Sequence, residues 1–348
     1  MLDTLKNEDI WKNPQPAATK YCRPIKFEFA KETKEETLLE VQEIKEKIRN
    51  LVPVEVETEN GLYIVKANMK LTMVDGKVCQ ALTETPSAAT CYICGAQPSE
   101  MNKLNIIQNK PKNISNYEFG LSTLHAWIRF MECILHISYR LNFCKTAATT
   151  EVQKEQVKSA KKRVFDEFKK TMGLIVDKPK HGHGSSNDGN TARRFFADPE
   201  VTSEITRVDK RLIVRFSVIL QVLACGRPVD SYKFEAFALE TAQLYVSLYP
   251  WYYMPVTIHK ILLHGADVIR YFHLAIGQLS EEAAEARNKD FKRFRFYNTR
   301  KCSRLLTNKD LIHKLLVSSD PFITSLRRSW TKKIRNIDPE AENLLKDE

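Results

Sequence analysis

No stretch of this 348-residue chain is both long and apolar enough to span a membrane. The best candidate, LIVRFSVILQVLACG from Leu212, is short and carries Arg215, so it reads as a core helix. The opening MLDTLKNEDIW lacks the apolar centre of a secretory signal. Eight scattered cysteines do not form a disulfide framework in a chain of this length, which places it in a reducing compartment. No internal repeat or low-complexity tract stands out.

What is present is a globular composition, 43% apolar and 28% charged, with enough length for two or three packed units. The net charge is +11 and the isoelectric point near 9.1, which implies a polyanionic partner, with nucleic acid ahead of a membrane. The charge is clustered. Residues 287–304, RNKDFKRFRFYNTRKCSR, hold eight arginines and lysines against Asp290, with Phe291, Phe294, Phe296 and Tyr297 among them. KSAKKRVFDEFKK (158–170) and RRSWTKKIR (327–335) are two further basic runs. One such run is ordinarily a solvated helix face; three of them beside a candidate metal site tilt the balance towards phosphate contacts.

The first 85 residues read as α+β and the remainder as helical. RPIKFEF alternates Ile25, Phe27 and Phe29 with charged neighbours, the pattern of a half-buried strand. KEETLLEVQEIKEKIRNL sets Leu38, Val41, Ile44, Ile48 and Leu51 at helical spacing. PVEVETENGLYIVKANMKLTMVDG then reads as a hairpin turning at Asn60-Gly61, its second strand ending at Asp75. Beyond residue 115, helices are expected over LSTLHAWIRFMECILHISYRL, 151–172, 210–225 and 231–247. Residues 177–190 form a loop stopping at Asn190, a suitable N-cap for TARRFF.

CYICG, from Cys91, is half of a zinc site, since a Cys-x-x-Cys turn supplies two of four tetrahedral ligands. Two histidine pairs are close in sequence: His181 with His183, and His259 with His264 in TIHKILLHGAD. The second has the spacing of a His-x4-His half-site. Five helical positions turn a side chain by about 140°, so the pair shares an ion only near a helix end or bend, which Gly265 allows. Spacing alone does not join these histidines to cysteines 165 residues away. A metallohydrolase built on His259 and His264 is disfavoured, because Lys260 stands where the base of His-Glu-x-x-His belongs.

Taken in order, these motifs resemble the catalytic core of the Transib transposases and of the first subunit of the V(D)J recombinase, from about residue 12 onward. NDGNTARRFF is similar to the family's Asn-Gly-Asn segment, and TLHAW to its Leu-His segment. The resemblance implies an RNase H-like core with an Asp-Asp-Glu triad holding two Mg²⁺ or Mn²⁺ ions. It also implies a helical insertion pinned by structural Zn²⁺ on Cys91, Cys94, His259 and His264. Asp75 would be the second Asp and Glu285 the Glu, with Asn288, Lys289 and Lys292 on roughly its face; Glu281 and Glu282 are alternatives to Glu285. The family's first Asp lies on strands upstream of the matching segment, and Asp3 and Asp9 lie in no strand pattern that would replace it.

The fold expected is therefore α+β and mainly helical, an incomplete RNase H-like core with a large zinc-pinned insertion. Residues 1–85 would hold the partial core, 86–265 the insertion, and 266–348 the Glu helix and basic tail. The function implied is that of a nuclear, DNA-binding portion of a Transib-like transposase, inactive in cleavage by itself. DNA contacts would come from Arg193, Arg194, Lys289, Lys292, Arg293 and Arg295. Its partners would be DNA, a second copy, or a complementing chain carrying the first strands, and not a membrane. The alternative is a nonenzymatic zinc-stabilised nuclear factor acting on DNA or protein.

Overall fold

A computed structural model of the chain describes residues 2–3, 8–9, 12–27, 33–59, 61–179, 185–326 and 337–346. His181, His183 and the whole basic run 327–335 lie outside them. The described elements run in the order β1 (Leu2–Asp3), β2 (Glu8–Asp9), α1 (Lys34–Arg49), β3 (Val54–Thr58), β4 (Gly61–Val65), α2 (Gly76–Thr83), α3 (Leu104–Gln108) and α4 (Thr123–Ser138). The helices α5 (Glu151–Met172), α6 (Gly189–Phe195), α7 (Pro199–Thr206), α8 (Lys210–Ala224), α9 (Ser231–Leu248) and α10 (Val256–Tyr271) follow. Then come α11 (Glu282–Tyr297), α12 (Arg304–Ser318), α13 (Pro321–Ser325) and α14 (Pro339–Glu342). The protein is mainly helical. Its described strands form two two-stranded antiparallel ladders and no larger sheet.

The core is built where helices are apolar on most faces. Helix α4 buries Phe130, Met131, Ile134 and Leu135, and α8 buries Leu212, Ile213, Phe216, Ile219 and Leu220. Phe130 and Phe216 meet edge to face at 4.6 Å, a favoured aromatic geometry. Arg215 is accommodated in α8 because its guanidinium reaches out to the Thr241 hydroxyl, the Phe237 carbonyl and Glu240, and lies over the Phe237 ring. Helix α10 packs chiefly on α9. Gly265 gives the Phe234 ring room there, since a Cβ would stand 3.0 Å from the ring and push it by a few tenths of an ångström. Among the described residues no helix is long and apolar enough to cross a membrane.

The two ends of the chain are tied into this body by side chains and backbone. Arg287, only 7% exposed, donates to the carbonyls of Thr19 and Cys22 and to the Ser318 hydroxyl, and pairs with Asp290. Phe27 meets Phe291 edge-on at 5.2 Å, and Arg23 reaches the Ser319 carbonyl. At the other end, the Asp230 amide donates to Leu344 O, the Lys346 amide to Pro228 O, and Arg227 Nη1 donates to both carboxylate oxygens of Glu342. Residues 12–27 are thus held by α11 and α12, and 337–346 by the α8–α9 turn.

The structure corrects several of the expected elements. Residues 23–27 of RPIKFEF form no strand: Phe27 packs on α11, Arg23 reaches the Ser319 carbonyl at the end of α12, Lys26 pairs with Glu40 and Glu43 of α1, and Ile25 is exposed; 28–29 lie outside the described residues. The hairpin is present, but Gly61 already opens β4, opposite Thr58, and β4 ends at Val65. Asp75 does not end a strand. It is the N-cap of α2, accepting from the Lys77 and Val78 amides at 2.8 Å each, and Met73 before it has a left-handed φ of 57° that interrupts extended backbone. Asp3 and Asp9 lie in the short β1–β2 ladder. Asp188, not Asn190, caps α6, because its carboxylate reaches the Thr191 amide.

Candidate metal centre

The cysteine half of the site is a tight turn. The Gly95 amide donates to Cys91 O at 2.8 Å, and the Cys91 amide to Ala96 O at 3.0 Å. Gly95 sits at φ 69°, a left-handed position that favours glycine. The turn is held from outside by Asn113, whose amide donates to Ile93 O, and by Asn116, whose side chain donates to Tyr92 O. Tyr92 in turn donates to Gly120 O.

The histidine half comes from α10. His259 lies in its first turn and His264 in its middle, and the helix runs on past Gly265 to Tyr271. The helix does not end at Gly265; the helix end near the pair is its N-terminus, where His259 sits in the first turn. The two imidazoles reach each other, with ring centroids 5.1 Å apart at 76° and Nε2 atoms 3.3 Å apart. Cys94 Sγ lies 3.3 Å from His259 Nε2. Ligand atoms of Cys91, Cys94, His259 and His264 all fall within 4.8 Å of one another, and all four residues are buried.

These separations fit one tetrahedral ion. Two nitrogens about 2.0 Å from a zinc at the tetrahedral angle lie roughly 3.3 Å apart, and the sulfurs at about 2.3 Å need only a little more room. Two thiolates and two neutral imidazoles are the donor set that zinc takes in structural sites. The four residues could therefore hold a metal such as zinc. Because no ligand position is left for water or substrate, the arrangement suits structure rather than catalysis.

Electrostatics favour the ligating form of Cys94 and His259, but not of Cys91. A hydrogen bond from Cys91 holds the Cys94 thiol well below its ordinary pKa, with His259 and His264 assisting, while burial pushes Cys91 well above. Burial also lowers His259, which keeps the imidazole neutral and able to ligate. Both Nδ1 atoms are buried without a hydrogen-bond partner. The Lys260 ammonium stands 4.2 Å over the Tyr92 ring, so a cation–π contact bridges the two halves of the site. In the sequence, Lys260 stands out only as the residue that breaks a hydrolase motif; its partner Tyr92 is far along the chain and gives no local signal.

Among the described residues, the Cys–His cluster is the one group of three or more potential ligands brought together, and neither Asp75 nor Glu285 belongs to it. Both carboxylates are exposed, and that of Asp75 is engaged by the amides of α2. Arg193 and Arg194 lie in the last turn of α6, not at its N-terminus. Arg193 is tied to Glu282 and lies over the Trp127 ring, and Arg194 donates to Met172 O. Arg193 is thus engaged within the protein, while Arg194 is exposed apart from that one bond. Arg293 pairs with Asp290 but remains mostly exposed. Lys289, Lys292 and Arg295 are exposed along α11.

Glu281 gains a role that its sequence context does not suggest. It accepts from the Ser122 hydroxyl and from the Leu124 amide at 2.9 Å, and lies 3.7 Å from His125 Nδ1. The carboxylate fastens α11 to the N-terminus of α4, where the helix dipole favours an anion. Burial raises its pKa, yet the donors of His125, Ser122 and Leu124 outweigh it and hold the group below the usual carboxylate range. No protein-family model matches the chain, and no curated protein matches its sequence.

Proposed function

We propose that this protein is a zinc-stabilised DNA-binding relative of the Transib-type transposases that does not cleave DNA by itself. The observation that carries the reading is the convergence of Cys91 and Cys94 with His259 and His264. Cys94 and His259 are 165 positions apart, and the four residues meet in the pairing that the resemblance implies. Zinc ties the start of the helical region to α10. The RNase H-like ancestry of residues 1–85, a nuclear setting and a second copy or complementing chain belong to the same proposal; the exposed β3–β4 hairpin offers edges on which further strands would pair.

The DNA-facing surface is assigned to α11. Its inner face is Ala283, Arg287, Phe291 and Phe294, and its outer face carries Glu285, Lys289, Lys292, Arg293 and Phe296. Lys289, Lys292 and Arg295 make no ion pair among the described residues, so they are available to phosphates. Titration of duplex DNA over a range of salt tests this. Each phosphate that a cation neutralises adds about 0.9 to the slope of log affinity against log salt. Replacing Lys289, Lys292 and Arg295 together by Gln is expected to lower that slope by about 1.8–2.7, the share of two to three phosphates. An unchanged slope would place the DNA elsewhere, and no binding at low salt would end the proposal.

A further inference from the structure

Helix α11 ends in two adjoining large aromatic side chains that are mostly exposed. Phe296 is 74% exposed and Tyr297 77% exposed, and they pack on each other edge-on at 5.2 Å. Exposed apolar side chains are common on this protein, but two rings in contact with each other form a contiguous apolar patch, the kind of surface that serves as a contact site. The rings are framed by cations. Lys292 and Arg293 stand one turn before Phe296, Arg295 is adjacent, and the Lys301 ammonium is 6.0 Å from the Phe296 ring. The loop that carries Lys301 is braced. Arg300 forms a two-pronged pair with Asp310, and Lys301 donates to Arg295 O and to Thr299.

Intact duplex DNA offers such a surface phosphates but few ring faces, because its bases are stacked on each other. Unpaired nucleotides offer both. A base lies against an aromatic face while the flanking phosphates meet lysine and arginine. We propose that the Phe296–Tyr297 end of α11 is a stacking platform for unpaired DNA, so that the protein prefers single-stranded or gapped DNA to duplex. The inference rests on the DNA-binding reading above and adds to it the form of DNA bound.

Fluorescence anisotropy with a labelled oligo(dT) strand and a blunt duplex of equal length, at one salt concentration, tests it. The wild-type chain is expected to bind the single strand more tightly. Phe296→Ala and Tyr297→Ala remove no charge, and both positions are exposed, so folding is retained and is checked by zinc content. Each is expected to weaken single-strand binding by about five- to a hundredfold, the range for removing one base stack, and duplex binding by less than about twofold. Phe296→Trp is expected to keep single-strand affinity, with indole emission quenched on binding. Equal single-strand affinity in the Ala variants, or a wild-type preference for duplex, overturns the platform while leaving DNA binding by α11 intact. Absence of binding to either DNA overturns both readings. If the Ala variants lose instead a binding to phosphatidylserine vesicles, or a self-association, the rings serve a lipid surface or a second copy and the proposal fails.

Discussion

Cys94 lies 3.3 Å from a histidine 165 positions further along the chain, and this pairing shows how far a single residue can be read. The Cys-x-x-Cys turn is local and legible because its glycine and ligand spacing fall within five residues. The histidines are legible as a spacing but not as partners, since only the tertiary packing of α10 beside residues 91–96 joins them. Cys94→Ser is expected to abolish stoichiometric zinc binding and to speed proteolysis within residues 91–120, measured by metal analysis and limited digestion. A variant that retains one zinc per chain would show that Cys94 is not a ligand. Glu281 supports a second expectation at this scale. Its folded pKa lies below the unfolded value near 4.3, so its contribution is complete above that pH and is lost as pH falls through the folded pKa. Glu281→Gln should therefore lower thermal stability at neutral pH and narrow the stability lost on acidification. If wild type and variant lose stability identically between about pH 5 and pH 3, the carboxylate is not fastening α11.

At the scale of elements, legibility follows whether the start and stop signals are local. Helix α5 is readable to both its ends. Thr150 and Gln153 form a reciprocal capping box at its start, and Gly173 closes it in the left-handed conformation. The strand expected to run to Asp75 stops at Val65 for a related reason. Alternation in KLTMVD favours a strand, but Asp75-Gly76 is also a helix start, and the α2 cap prevails where no neighbouring strand is available to pair. RPIKFEF is misleading because Phe27 serves α11 rather than a sheet, while Ile25 stands exposed. That attachment yields a prediction for the Arg287 clasp. Arg287→Ala takes the side-chain donor from the Cys22 carbonyl, leaves the Thr19 carbonyl with the Cys22 amide alone, and leaves Asp290 with one fewer cation. The expected cost is about 2–4 kcal/mol, from the removal of charge-assisted hydrogen bonds in a buried setting. Hydrogen exchange should show residues 12–27 released before the α4–α8–α9 core. Arg287→Lys keeps the charge but not the fork, and should recover only part of the stability. Undiminished protection of 12–27 in the Ala variant would mean that Phe27 on Phe291 is sufficient by itself.

For the molecule as a whole, the question is whether the carboxylates can perform two-metal chemistry. Such chemistry needs several acidic ligands holding two ions roughly 3.5–4 Å apart, one activating water and the other stabilising the leaving oxygen. In this fold the acids anticipated for that work are dispersed or already engaged. Asp75 caps α2, Glu282 binds Arg193, Glu281 fastens α11 to α4, and Glu285 stands exposed on the same outer face as Lys289. Moving Glu281 or Glu282 to a metal would forfeit an attachment that docks α11, the same helix to which DNA binding is assigned. Added Mg²⁺ or Mn²⁺ should consequently leave supercoiled plasmid intact in the presence of the zinc-loaded chain, over times in which DNA binding is saturated. The measurement is plasmid nicking on a gel, with Glu281→Gln, Glu282→Gln and Glu285→Gln run alongside. Nicking that requires Mg²⁺ or Mn²⁺ and vanishes with any one of these substitutions would show that the acids regroup around metal when DNA is bound. The chain would then be a nuclease whose site assembles on its substrate, rather than a binder that leaves DNA uncut.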